Sequence, residues 1–231
     1  MLYFDPLYIL LALPGLILAL LASFYVKSTF ARYSRLRPRN GMSGAEAAAE
    51  MLRRSGVDFV RIERAQGFLS DHYDPSAKVL RLSPDVYDKS SLSAIGVACH
   101  EAGHALQDAQ SYYWLGLRSS LVPVASLGSN LSYLVFFLGL FMGSMGLVKL
   151  GILMFAMAVL FTIVTLPVEW NASARAKQAM IDYGIVSHQE GAAAAAVLNA
   201  AFMTYVAAAI SAILTLLYYL MRSGLLGGRR D

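Results

Sequence analysis

Charge is scarce in this chain. Asp, Glu, Lys and Arg make up 15% of its 231 residues, where a soluble domain carries about a quarter. Cysteine is nearly absent, Cys99 being the single one, so a disulfide framework of the secreted kind is excluded. Glycine, at 18 residues, is too sparse for a collagen-like repeat. Apolar residues reach 57%, which excludes an intrinsically disordered chain. The 19 Lys and Arg exceed the 15 Asp and Glu by +4. They cluster beside apolar runs and form no separate stripe, so they argue for membrane topology and against nucleic-acid binding. The partner that composition implies is a lipid bilayer, and the length suits one small domain built onto membrane helices.

Four uncharged stretches are long enough to cross a bilayer, which takes about 20 apolar residues. They run over 7–26, 121–148, 150–168 and 191–221, with only Lys149 between the second and third. The alanine-rich start of the last is expected to lie outside the membrane, with the crossing from about Phe202 onward. Stretch 7–26 has Asp5 where a signal peptide has bases, and no small-x-small cleavage site follows it, so it reads as a retained anchor. With the N-terminus outside, the inner flanks hold Lys27, Arg32, Arg35, Arg37, Arg39, Arg118, Arg175 and Lys177. The outer flanks hold Lys149, Arg222, Arg229 and Arg230. Eight against four puts 27–120 and 169–200 in the cytoplasm.

A soluble lobe is expected within Lys27–Ser120. Asn40-Gly41 marks a turn, and Ser43 with Glu46 makes a capping box for a helix through Arg54 that Gly56 ends. Val57–Ile62 and Lys78–Ser83 alternate as strands, with His72 in the turn region between them, and Pro84 stops the second. A helix then runs from about Ser91 past Gln107, with Leu92, Ile95 and Leu106 on its apolar face.

That helix carries His100-Glu101-Ala102-Gly103-His104. Residues four apart stack on one helix face, so two imidazoles reach one metal ion while the glutamate points toward its water. Zinc lowers the pKa of that water to about 7, and the carboxylate takes its proton. With four His and six Glu in the chain, chance yields roughly 0.002 such H-E-x-x-H motifs. A catalytic zinc keeps three protein ligands and one open position. Gln107 and Gln110 stand where the metzincin extension needs Gly and His, which excludes that class. The third ligand is then sought among Glu46, Glu50, Glu63, Glu169, Glu190, the aspartates, His72 and His188. Glu169 stands out because it follows the third apolar stretch directly, although a carboxylate there also suits a helix start.

His100-Glu101-Ala102-Gly103-His104-Ala105-Leu106-Gln107, followed by Leu166-Pro167-Val168-Glu169-Trp170-Asn171-Ala172-Ser173, resembles the bacterial YugP-type neutral zinc metallopeptidases. The resemblance extends over most of the chain. It implies one zinc ion held by His100, His104 and Glu169, with Glu101 as the catalytic acid/base. More distantly the layout is similar to the HtpX and CAAX-prenyl-protease group, which follows the ligand glutamate with Ala-Asp where this chain has Ala172-Ser173. Ser173 and Gln107, which shares the ligand face, are candidates to orient the imidazoles by hydrogen bonding. His188 and Tyr183, downstream of Glu169, are candidates to stabilise an oxyanion, with a lone surface histidine the plainer reading of His188. Cys99 faces about 100° from His100 and reads as a small core residue, because a fourth ligand would close the site. Gly139 and Gly143 form a G-x-x-x-G suited to close helix packing. An edge strand at Lys78–Ser83 is the candidate for pairing with an extended substrate.

The expected fold is a mainly α membrane protein with about four transmembrane helices and a small α+β zincin-like lobe. Its segments are an anchor at 1–26, a cytoplasmic catalytic lobe at 27–120, a helical hairpin at 121–168, a cytoplasmic segment with the third ligand at 169–200, and a last helix and tail at 201–231. The expected activity is that of a zinc endopeptidase in the cell (inner or plasma) membrane, acting on protein or peptide substrates. Nothing in the sequence supports an oligomer. The alternative is a zinc-bound adaptor or chaperone-like scaffold that does not cleave, but a structural zinc needs no base such as Glu101. A transporter would want ionisable groups inside the spans, and 121–148 and 150–168 have none.

Overall fold

The computed structural model describes residues 5–67 and 70–226. Arg229 and Arg230, used in counting flanking charge, lie outside the described residues. The chain is mainly helical, with seven helices and three strands among the described residues. In order these are α1 Pro6–Tyr33, α2 Gly44–Arg54, β1 Arg61–Arg64, β2 His72–Asp74, β3 Val79–Leu82, α3 Pro84–Tyr87, α4 Leu92–Ala109, α5 Tyr113–Phe141, α6 Met145–Asp182 and α7 His188–Arg222. Helices α1, α5, α6 and α7 are each long and apolar enough to cross a membrane.

Contacts divide the chain into two compact units. The first comprises Met1–Ala22, Leu117–Leu166 and Thr204–Asp231. Its helices approach closely through small residues: a Cβ on Gly139 would meet the Val148 nitrogen at 2.6 Å, and one on Gly151 the Phe136 nitrogen at 2.7 Å. Phe136 and Tyr219 stack at 4.2 Å in its interior. The break between the two central apolar helices falls at 142–144, not at Lys149, which lies inside α6. Gly143 has φ +63, its N–H bonds the Leu140 carbonyl, and the Ser144 N–H bonds that of Gly139. This is the Schellman closure that a left-handed glycine permits. Gly143 therefore belongs to a turn, and of the G-x-x-x-G pair only Gly139 packs within a helix.

The second unit, Ser23–Gly116 with Pro167–Met203, contains the strands and the motif helix. Ser43 and Glu46 form the full capping box on α2. Gly56 (φ +69) closes that helix with the Val57 N–H on the Leu52 carbonyl. Val57 is thereby committed to the helix end, so β1 begins at Arg61, later than the Val57–Ile62 alternation suggests. The sheet order is β1-β3-β2, with β1 parallel and β2 antiparallel to β3. Two expectations are corrected here. His72 opens β2 and does not lie in a turn, because three residues are too few to display a period of two. Lys78–Ser83 is no edge, because β3 is paired on both sides and β2 has one open side. Leu80, Leu82, Ile95, Ala98, Cys99, Ala102, Met180 and Leu198 share the core of this unit. The alanine-rich start of α7 joins them through Ala194.

Candidate metal centre

Helix α4 starts where Ser91, in extended conformation, accepts the Ala94 N–H on its side chain at 3.2 Å. Its inner face is made of small residues. A Cβ on Gly96 would lie 3.3 Å from the Ala194 carbonyl oxygen, and one on Gly103 would reach the Ala172 carbonyl oxygen at 2.6 Å. The second distance is closer than atoms tolerate, so the glycine between the two histidines is what lets α4 lie directly on α6. That approach carries Glu169 and Ser173 of α6 to His100.

His100 Nε2 lies 3.1 Å from Glu169 Oε2, and His104 Nε2 lies 3.6 Å from the same oxygen. The ligand atoms of His100, His104 and Glu169 all fall within 4.8 Å of one another. Glu169 is only 2% exposed, and a buried carboxylate needs compensating positive charge.

The far side of each imidazole is fixed as well. Gln107 donates through Nε2 to the Val168 carbonyl at 2.8 Å and to Asn171 Oδ1 at 3.0 Å. Its Oε1 is thereby turned to His104 Nδ1 at 2.9 Å. An amide oxygen only accepts, so His104 carries a proton on Nδ1, which leaves Nε2, on the side of Glu169, as the atom that would meet a metal. Ser173 Oγ stands 3.1 Å from His100 Nδ1 and holds the orientation of the other ring. Burial by itself would lower the His104 pKa, but the Glu169 hydrogen bond, the charges of Glu169 and Glu101 and the Gln107 contact outweigh it and raise it. Two imidazoles and a carboxylate with their ligand atoms within 4.8 Å are a donor set that fits zinc.

Asn171, which sequence reasoning passed over, extends the network. Its Oδ1 also accepts from Arg175 Nε at 2.7 Å, and Arg175 bonds Gln110 Oε1 at 2.5 Å. Only its place two residues after Glu169 marked it.

Glu101 is engaged by strand β2 through one oxygen. Its Oε2 accepts the Tyr73 backbone N–H at 3.1 Å. The remaining candidates are spent on structure. Glu46 caps α2, Glu50 pairs with Arg53 and Arg54, and Glu63 lies near Arg61 and Arg81. Glu190 accepts from the Ser187 and Arg39 backbones. His72 Nδ1 faces the Ser70 carbonyl at 2.8 Å. Tyr183 spends its hydroxyl on Ser55 at 3.2 Å, and His188 is exposed at the start of α7, so neither position supports the oxyanion role expected for it. Cys99 is fully buried, and burial pushes its thiol up, away from the thiolate that a metal would need.

A family model described as "Putative neutral zinc metallopeptidase" matches residues 8–224. The chain belongs to that family. It is 45% identical over 215 residues to "Putative membrane protease YugP" of Bacillus subtilis (strain 168), an alignment covering 93% of this chain and 96% of that protein. No solved structure matches it. The family name implies zinc, and the His100–His104–Glu169 cluster fits that ion by donor type and proximity.

Proposed function

We propose that the protein is a membrane-embedded zinc endopeptidase whose zincin-like lobe cuts membrane or unfolded proteins near the cytoplasmic bilayer surface. The observation that carries this reading is the convergence of His100, His104 and Glu169 within 4.8 Å, with Glu101 beside them on α4. In this reading His100 Nε2, His104 Nε2 and the Glu169 carboxylate hold the ion. When bound, zinc supplies Lewis acidity and an activated water. Glu101 takes a proton from the water that attacks the peptide carbonyl and returns it to the leaving amine nitrogen, so peptide and water become acid and amine. Gln107 and Ser173 keep the imidazoles in the ligating orientation.

The depth and the side of the membrane come from the sequence. Glu169 directly follows the uncharged stretch 150–168, and His104 precedes 121 by fewer than 20 residues. The flanking Lys and Arg favour a cytoplasmic lobe. In this reading 1–26 is an anchor, 27–120 with 169–200 forms the catalytic lobe, and 121–168 and 201–231 carry the other spans. The test is incubation of the purified, zinc-loaded protein with an unfolded membrane protein, read as fragments that vanish on chelation. An inert zinc-loaded protein would leave the scaffold reading in its place.

A further inference from the structure

Strand β2 has only three residues and pairs on one side, with β3. Such a short edge is weakly placed by sheet hydrogen bonds alone. Here it is also gripped by α4 at both ends of one residue. The Tyr73 backbone N–H donates to Glu101 Oε2 at 3.1 Å, and the Tyr73 hydroxyl donates to Asp108 Oδ2 at 2.6 Å. Glu101 and Asp108 are seven apart, two turns along one face of α4. A third group meets the same oxygen: Lys78 Nζ lies 2.6 Å from Asp108 Oδ2. Lys78 reaches it from a left-handed backbone at φ 53, a conformation that a side chain rarely adopts unless its surroundings hold it there. Burial, then the Asp108 hydrogen bond, raises the Tyr73 pKa, so the phenol remains a donor.

We propose that Asp108 is a positioning residue for the reaction: by holding the Tyr73 hydroxyl and Lys78, it fixes β2 so that the Tyr73 N–H orients the Glu101 carboxylate. The proposal rests on the peptidase reading above. A carboxylate pinned through one oxygen turns less freely, which leaves its other oxygen to take the proton. Misplacing such a group by about 1 Å costs up to roughly 10²-fold in rate. None of the clamp's hydrogen bonds goes to the three zinc ligands or to Gln107 and Ser173, so its loss should separate rate from metal binding.

The experiment uses full-length protein in detergent, zinc-loaded, with dye-quenched casein as the probe. Wild type should hydrolyse casein and Glu101→Gln should not. An inert wild type would overturn the peptidase reading and the clamp with it. With an active wild type, Asp108→Ala should keep one zinc per chain and lose about tenfold in kcat, with KM within about twofold. Tyr73→Phe removes only the hydroxyl, keeps the ring in place, and should lower kcat in the same manner. Since both act through one oxygen, the double variant should lose less than the product of the single losses. Asp108→Asn, which can still accept from Tyr73, should recover part of the rate. Unchanged kcat in Tyr73→Phe and Asp108→Ala, a change confined to KM, or fully multiplicative losses would overturn the clamp. Should Asp108→Ala lose its zinc, Tyr73→Phe alone decides, and an unchanged kcat there refutes the proposal.

Discussion

Gly103 lies so close to Ala172 that a Cβ on the glycine would stand 2.6 Å from the alanine carbonyl oxygen. The contact is backbone to backbone, so no flexible side chain can yield. Gly103→Ala should therefore force α4 away from α6 and separate His100 and His104 from Glu169 without altering any ligand. The expected result is a zinc affinity at least tenfold weaker, with helix content retained, because Ala itself favours the helix. Titration with a competing chelator measures it. Wild-type affinity in Gly103→Ala would mean that the two helices have slack.

The ligands and their supports should separate by magnitude. Glu169→Ala leaves two imidazoles, one protein ligand short of the usual three, and should lose most bound zinc. Gln107→Ala should weaken binding by the roughly 10–100-fold that an orienting partner contributes. Metal analysis after dialysis distinguishes the two. Binding should also fall on acidification, because zinc competes with protons for His104, whose raised pKa starts that competition at a higher pH. Zinc retained at wild-type stoichiometry in Glu169→Ala would move the third ligand to another carboxylate.

Sidedness is tested by a single cysteine. Ser76 is exposed beside Asp74 and engages Asp74 through its backbone N–H alone, so Ser76→Cys should leave the turn intact. In a Cys99→Ser background it should resist an impermeant thiol reagent in intact cells and react after lysis. Ready labelling from outside would place the lobe on the other face of the membrane.

The parts of the site that were legible in the sequence are local ones. His100 and His104 share a face because four residues make about one turn, and the Ser43–Glu46 box declares its helix within four positions. Distant partners left weaker traces. Glu169 meets His100 across 69 residues only because Gly103 and Ala172 lie backbone to backbone. The Tyr73–Glu101 contact depends on a three-residue strand that shows no periodicity. The turn at 142–144 was hidden because Gly143 reads equally as a packing glycine, and only its positive φ distinguishes the roles. Asn171 gave no signal beyond its proximity to Glu169, since an amide bridging Gln107 and Arg175 needs no spacing rule.

The sharpest test of the chemistry is Glu101→Gln. Glutamine preserves the side-chain shape, and its amide oxygen can still accept the Tyr73 N–H that Glu101 Oε2 now holds at 3.1 Å. Strand β2 should therefore stay in place. His100, His104 and Glu169 are untouched, so zinc stoichiometry should equal wild type. What disappears is a proton acceptor effective at neutral pH, and hydrolysis should fall by at least the roughly 10²–10⁴-fold that general acid–base catalysis supplies. The assay compares metal-loaded samples at equal concentration on one unfolded protein substrate. Loss of zinc together with activity would make Glu101 a structural residue. Full activity in the variant would refute the mechanism, because the mechanism assigns the proton transfer to the Glu101 carboxylate alone.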